Sequence, residues 1–335
     1  MRVCIFGAGA IGTHVGARLC AAGQAEVSIV ARGPLLEAVR KNGLTLQSNG
    51  QEINGKPHAA SDDPATLGKH NIVIAALKAH TLPAVASTLE QLLAPQGIAV
   101  FPLNGLTWWW RHGGKGKREA LPLLDPERDL WNRLREHAIG CVVYSPNVVV
   151  SPAVVRHVGG DRYVFGEPGN EKTARVHTIA DLFNAAGLPA DVSPDIRAEI
   201  LRKYVSNVWS NPLGALTRLN QGQITNDPDM KQVAACLMRE TLAVAAAMGW
   251  DLRGEIDVEK QLSRPAAPGP SAPSAPPIPP SMLQDVLADR SLEVEAHLGQ
   301  LQVFAREHGV AVPTIDVVLP LLRGLDQSLR RKTSR

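Results

Sequence analysis

The chain opens on MRVCIFGAGAIGTHVGARLCAAG, an apolar run from Val3 to Phe6, glycines at 7, 9 and 12, and then a helix-compatible stretch. Few local patterns restrict a fold so strongly. Gly7 permits a sharp turn after the strand, Gly9 lets a ligand approach the backbone, and Gly12 allows the following helix to pack closely on the strand. The start of that helix offers free N–H groups and the positive end of its dipole, a site for a pyrophosphate. Gly7, Ala8, Gly9, Ala10, Ile11 and Gly12 are therefore the expected dinucleotide turn. A second strand, AEVSIVAR, follows and ends at Arg32. An NAD-binding chain carries an acid there to accept from the ribose 2′-hydroxyl, whereas a guanidinium clamps a 2′-phosphate, so NADPH or NADP is the expected cofactor.

The first half alternates strand-like and helix-like segments, with strands expected at Glu26–Val30, Leu44–Gln47, Asn71–Ala76 and Ile98–Phe101. Alternation of this kind gives a mostly parallel sheet with helices on both faces. A β-rich stretch from IGCVVYSPNVVV to RYVFGEP completes it, and helical periodicity then takes over. Expected helices are Asp195–Leu216, Met230–Met248, Ser281–Ala288, Leu292–Glu307 and Thr314–Leu329. The fold class is α/β, an N-terminal Rossmann-type doubly wound sheet (1–170) joined to an all-α C-terminal domain (171–335). Within the latter, SRPAAPGPSAPSAPPIPP at 263–280 is too rich in proline for helix or central strand and reads as an extended or mobile loop.

Composition narrows the partners. Lys+Arg 35 against Asp+Glu 32 is nearly balanced, without a basic block for nucleic acid. No run reaches the roughly 18 apolar residues of a membrane span. Cys4, Cys20, Cys141 and Cys236 are scattered, without metal or redox spacing, so no metal is expected and the thiols suit a reducing cytoplasm.

The second half carries its own constellation. In LRKYVSNVWSNPLGAL, Lys203, Asn207 and Asn211 recur every fourth residue, which on a helix places an ammonium and two carboxamides along one stripe. Leu201, Val205, Val208 and Trp209 supply the apolar face. Pro212 removes a backbone donor and should bend the helix there. Lys78 after NIVIAAL and Asn104 after IAVFP stand at the carboxyl ends of expected strands, where open α/β sheets bind ligands.

These residues together resemble the ketopantoate reductase (2-dehydropantoate 2-reductase) family over nearly the whole chain. The resemblance is carried by Gly7, Gly9, Gly12, Arg32, Lys78 in LKAH, the Asn104-Gly105 turn, and the Lys203, Asn207, Asn211, Pro212 series. It extends through SMLQD at Ser281–Asp285, Glu293 twelve residues after Ser281, and HGVAVPT at His308–Thr314. The resemblance implies NADPH-dependent reduction of ketopantoate to pantoate, a step toward pantothenate and coenzyme A. It assigns Lys203 and Glu293 as catalytic, and Asn207, Asn211, Ser281 and Asn104 as substrate-binding. Lys78, Asn104 and Glu293 join Arg32 and the glycine turn on the cofactor. The implied partners are a small 2-oxo acid and at most a second copy of the chain, with neither nucleic acid nor membrane. Three features depart from the family pattern: Trp108, Trp109 and Trp110, the proline-rich insert, and GGKGKRE at Gly113–Glu119, read as an exposed loop. The tryptophans either reshape the mouth of the substrate site or pack an interface. In the first case the substrate is another 2-oxo acid with a larger or more apolar tail. A non-catalytic NADPH sensor is a third reading, opposed by Lys203 and Glu293, which binding alone does not need.

Overall fold

A computed structural model describes residues 1–114, 117–263 and 278–333. The chain forms two compact units, Met1–Leu103 with Trp108–Glu199, and Asn104–Thr107 with Ile200–Arg335.

In the first unit the strands are β1 (Arg2–Phe6), β2 (Glu26–Val30), β3 (Leu44–Ser48), β4 (Gln51–Gly55), β5 (Ala59–Ser61), β6 (His70–Ala75), β7 (Leu93–Pro102), β8 (Ala138–Val143), β9 (Asn147–Ser151), β10 (Val154–His157), β11 (Tyr163–Gly166) and β12 (Ala190–Val192). The helices are α1 (Ala10–Ala22), α2 (Gly33–Asn42), α3 (Ala86–Leu92), α4 (Asp129–Leu134) and α5 (Ala174–Ala185). Eight strands form one sheet in the order β12-β11-β8-β7-β6-β1-β2-β5. Every pairing is parallel except β8 with β11. From β1 the chain winds outward to β2 and β5, then returns to β6 and winds the other way, so the order reverses at β1. That reversal is where such sheets open a ligand crevice. Val3, Cys4 and Ile5 are fully buried, as expected of a central strand covered on both faces.

Four strands, β4-β3-β10-β9, form a second sheet that the sequence reading did not separate from the first. It seats against α1: a Cβ on Gly16 would come within 2.5 Å of Leu44 Cδ1, and one on Gly55 within 2.5 Å of the Ala17 carbonyl oxygen. Strand periodicity marks β3, but which sheet it joins is set by β10, more than 100 residues away.

Residues 171–199, grouped with the helical half in the sequence reading, belong with the first unit. β12 pairs in parallel with β11, and α5 buries Phe183 edge-on against Phe165 and Tyr163, with ring centroids 4.9 and 5.2 Å away. Edge-to-face pairs add about 0.5–1.5 kcal/mol each beyond burial, alongside the buried Val176, Ile179 and Leu182 of the same helix.

The tryptophans resolve in favour of packing. Trp108, Trp109 and Trp110 are 2%, 0% and 4% exposed, which excludes them from lining a mouth open to solvent. Trp108 meets Phe101 edge-on at 5.2 Å, and Trp109 lies so close to Gly140 that a Cβ there would clash at 2.7 Å. Of GGKGKRE, residues 115–116 lie outside the described residues; Lys117 and Arg118 are exposed.

The second unit is helical: α6 (Ile196–Thr217, from Ile200 onward), α7 (Gln221–Asn226), α8 (Pro228–Ala247), α9 (Val258–Leu262), α10 (Ser281–Leu287), a π-turn (Glu295–Gly299), α11 (Gln300–Glu307) and α12 (Pro313–Thr333). Local chemistry sets the helix starts. Asn220 and Gln223 form a reciprocal capping box on α7, and Asp227 caps α8 ahead of Pro228. The α12 start, which follows HGVAV, is capped at long range: the Glu240 carboxylate accepts from Thr314 N–H at 2.8 Å and Ile315 N–H at 3.0 Å. Leu201, Val205 and Val208 on α6 are fully buried, and each contributes about 1.5–3 kcal/mol by burial. α6 continues through Pro212 rather than ending at it. Of the proline-rich insert, residues 264–277 lie outside the described residues; Pro280 packs against Gly214.

Candidate active site

Two sets of candidate residues stand one in each unit. In the first, Gly7 turns the chain at the carboxyl end of β1 with φ +97°, and its N–H donates to the Val30 carbonyl at 3.0 Å. A Cβ on Gly12 would lie 1.9 Å from the Gly7 carbonyl oxygen, so the close packing expected there is obligatory. A Cβ on Gly9 would meet nothing within 4 Å. Gly9 is also the residue before α1, whose first turn receives no side-chain cap. Ala10, Ile11 and Gly12 thus begin a 13-residue helix that points uncapped N–H groups past an open glycine. Thr13, not singled out from sequence, bonds the Ala8 carbonyl through its hydroxyl at 2.7 Å and holds Ala8 in place.

Arg32 follows β2 and precedes α2 with extended backbone and an exposed side chain, which makes no hydrogen bond among the described residues. The cradle, the uncapped helix and a free guanidinium beside them fit a dinucleotide that bears a 2′-phosphate. Lys78 is half-buried beyond the carboxyl end of β6, where its carbonyl accepts from Thr81 N–H at 2.9 Å. A surface depression of about 390 Å³ lined by Cys20, Glu26, Lys56 and His58 lies at the amino end of β2, away from the glycine turn, and does not belong to this site.

In the second unit α6 carries the expected stripe. Lys203 Nζ donates to Asn104 Oδ1 at 2.7 Å. Asn104 is 99 positions away in sequence, yet the segment Asn104–Thr107 clusters with the helical unit although both its flanks belong to the first. The pair is half-buried, so the ammonium is held without being sealed. One turn on, Asn207 is half-buried and its carboxamide makes no hydrogen bond among the described residues. Asn211 behaves otherwise. It is 4% exposed, and its Oδ1 accepts from Ser281 Oγ at 2.9 Å and Met282 N–H at 3.1 Å. Asn211 therefore caps α10 from outside and fixes the Ser281 hydroxyl. Asp285 of SMLQD is buried and accepts from Arg290 Nε at 3.0 Å. Glu293 is 6% exposed, just ahead of the π-turn, and its carbonyl accepts from His297 N–H at 3.1 Å. Sequence periodicity gave no sign of that π-turn, although such turns gather at functional sites.

An uncapped glycine cradle at a sheet's switch point, together with an ammonium held among carboxamides, defines a two-part oxidoreductase that takes a nicotinamide dinucleotide. The chain belongs to the ketopantoate reductase family: residues 3–170 match the family model Ketopantoate reductase PanE/ApbA, and residues 195–326 match its C-terminal companion. A 2-dehydropantoate 2-reductase of Mesorhizobium japonicum is 37% identical, covering 97% of this chain and 98% of its own. A crystal structure of a candidate ketopantoate reductase from Ralstonia solanacearum MolK2 superposes with TM-score 0.87 at 32% identity, over 98% of each chain. D-Mandelate dehydrogenase, solved with NADH and anilino(oxo)acetate, shares the fold at TM-score 0.79 and 22% identity, over 98% of this chain and all of its own. Among the described residues no helix is long and apolar enough to cross a membrane, and no cluster of side chains could hold a metal ion.

Proposed function

We propose that this chain reduces ketopantoate to pantoate with NADPH. When bound, the nicotinamide supplies a hydride to the C2 carbonyl. As charge grows on the carbonyl oxygen, the Lys203 ammonium stabilises it and transfers one proton to it, becoming the neutral amine. Asn104 Oδ1 fixes the direction of that ammonium. Asn207 and Ser281 hydrogen-bond the hydroxyl and carboxylate of the acid, and Asn211 orients Ser281. Glu293 accepts from a substrate hydroxyl or the cofactor ribose. The glycine turn, Gly7 to Gly12, takes the pyrophosphate, Arg32 the 2′-phosphate, and Lys78 and Asn104 the nicotinamide half of the cofactor. The observation that carries this reading is the Lys203–Asn104 bond, because it orders a half-buried ammonium on the polar stripe of α6.

Loss of NADPH absorbance across a panel of 2-oxo acids tests it, with ketopantoate expected to give the highest kcat/KM. A higher kcat/KM with phenylglyoxylate would favour the other 2-oxo acid reading, which the D-mandelate dehydrogenase likeness keeps in view; the tryptophans, being buried, no longer support it. A second copy of the chain is the proposed partner for the exposed pair Val317 and Leu321, one turn apart on α12, and light scattering reads that stoichiometry. A cytoplasmic setting accords with four free cysteines, two of whose thiols, Cys4 and Cys20, burial pushes up to about 12.

A further inference from the structure

Lys203 and Asn104 each have a chain neighbour tied to the same turn of helix. Leu106, two residues past Asn104, donates its N–H to the Ala296 carbonyl at 2.8 Å. Tyr204, next to Lys203, donates its buried hydroxyl to the carbonyl of His297. Ala296 and His297 are consecutive within the π-turn. In an α-helix the Ala296 carbonyl would receive Gln300 N–H. Here Gln300 N–H bonds the Glu295 carbonyl instead, so the widened turn releases Ala296 to an outside donor. Gly105 makes the approach feasible. At φ +76°, a Cβ there would stand 2.4 Å from the Ala296 carbonyl oxygen, so any side chain drives loop and turn apart.

We propose that the π-turn Glu295–Gly299 is a two-pronged anchor that sets the Lys203–Asn104 distance, and that Gly105 and Tyr204 are positioning residues for the proton donor. The proposal deepens the reading of Lys203 as the acid and rests on it for catalytic meaning, but the geometric claim stands independently. The anchor grips backbone carbonyls, which do not titrate and cannot swing as a side chain would. It thereby joins two residues whose separation along the chain gives them no local reason to meet.

The test is competitive labelling of lysines with acetic anhydride, mapped by mass spectrometry, on the full chain, with exposed Lys41 and Lys69 as internal standards. In Gly105→Ala and Tyr204→Phe, Lys203 should become about tenfold more reactive relative to the standards, the scale of losing one hydrogen bond made by a charged group. Ser210→Ala, whose hydroxyl bonds only the Ser206 carbonyl of its own helix among the described residues, should leave the ratio unchanged. In turnover, kcat should fall about tenfold in both variants while the KM for NADPH holds. An unchanged or lower Lys203 ratio in Tyr204→Phe overturns the proposal, and that variant keeps the test decisive even where Gly105→Ala does not fold. Because labelling needs no substrate, inactivity of the unmodified protein toward ketopantoate sinks the functional reading alone.

Discussion

Arg197 and Lys203 are cations six residues apart on α6, and their surroundings differ in kind. Arg197, whose side chain packs in the first unit, is 2% exposed. Its guanidinium donates to the carbonyls of Trp110 (2.8 Å), Pro168 (2.5 Å) and His112 (2.5 Å) and lies over the rings of Trp109 and Trp110 at 5.7 and 5.8 Å. Burial lowers its pKa to about 10, so it stays charged at neutral pH. Lys203 is half-buried and bonded to a carboxamide. The guanidinium serves as a fixed staple between loop carbonyls. The ammonium is held by a side-chain acceptor in a half-buried setting, which is where the proposed proton donor stands.

The comparison breaks most easily at Arg197. Arg197→Met removes the donor from two buried carbonyls and one half-buried one, at about 1–3 kcal/mol for each unsatisfied buried group, so urea denaturation should show a loss on the order of 3 kcal/mol. The fraction still folded should keep its kcat; a kcat that collapses along with stability would make Arg197 part of the chemistry. Lys203→Ala should do the reverse. We expect kcat down about 10²-fold, the usual scale for a positioned general acid, with the unfolding midpoint and NADPH affinity nearly unchanged. Retention of most turnover would reduce Lys203 to an ordinary half-buried lysine.

Arg32 sharpens the contrast from the cofactor side, being exposed and free of partners among the described residues. Arg32→Ala should erode preference for NADPH over NADH by roughly 1.5–3 kcal/mol through cofactor KM, because the 2′-phosphate is remote from the reacting carbon. Equal use of both cofactors by the unmodified protein would remove this role.

A pH-dependent effect, absent at neutral pH, concerns a buried group that is structural like Arg197 but titratable. His14 on α1 bonds Asn147 at 3.0 Å and Ser145 at 3.2 Å, and lies 3.6 Å from Asp161, with the His157 ring 5.0 Å away and Arg18 and Tyr163 completing its surroundings. Burial, reinforced by His157, lowers its pKa from 6.5 to about 3. Between those values the unfolded chain takes up a proton that the folded one refuses, so stability falls as pH drops from 6.5 toward 3, by up to about 1.4 kcal/mol per pH unit. Asp161, raised by burial, binds its proton earlier in the folded state and offsets part of this. Chemical denaturation against pH should flatten in His14→Gln; an unaltered acid slope would place the sensitivity elsewhere, His70 and His112 being lowered by burial in the same sense.

Much of this molecule was legible locally. The glycine turn, the expected Glu26–Val30 strand and the stripe on α6 follow from periods of two and 3.6 residues and from glycine geometry, all of which act within a few positions. Arg32 could be placed because a strand's end is a local event. Other features depended on partners far along the chain. Residues 171–199 joined the first unit through the β11–β12 pairing and the Phe165–Phe183 contact. The second sheet needed β3 to find β10, and the tryptophans became core rather than site once Gly140 and Phe101 lay against them. Asn211, on the stripe by spacing, turned out to cap a helix 70 residues away, and Asn104 bonds Lys203 across 99 positions that no sequence period links. Sequence spacing determined which residue types could share a face. Only tertiary packing decided which of their donors and acceptors were already satisfied, because satisfaction of a buried polar group depends on groups that no local window contains.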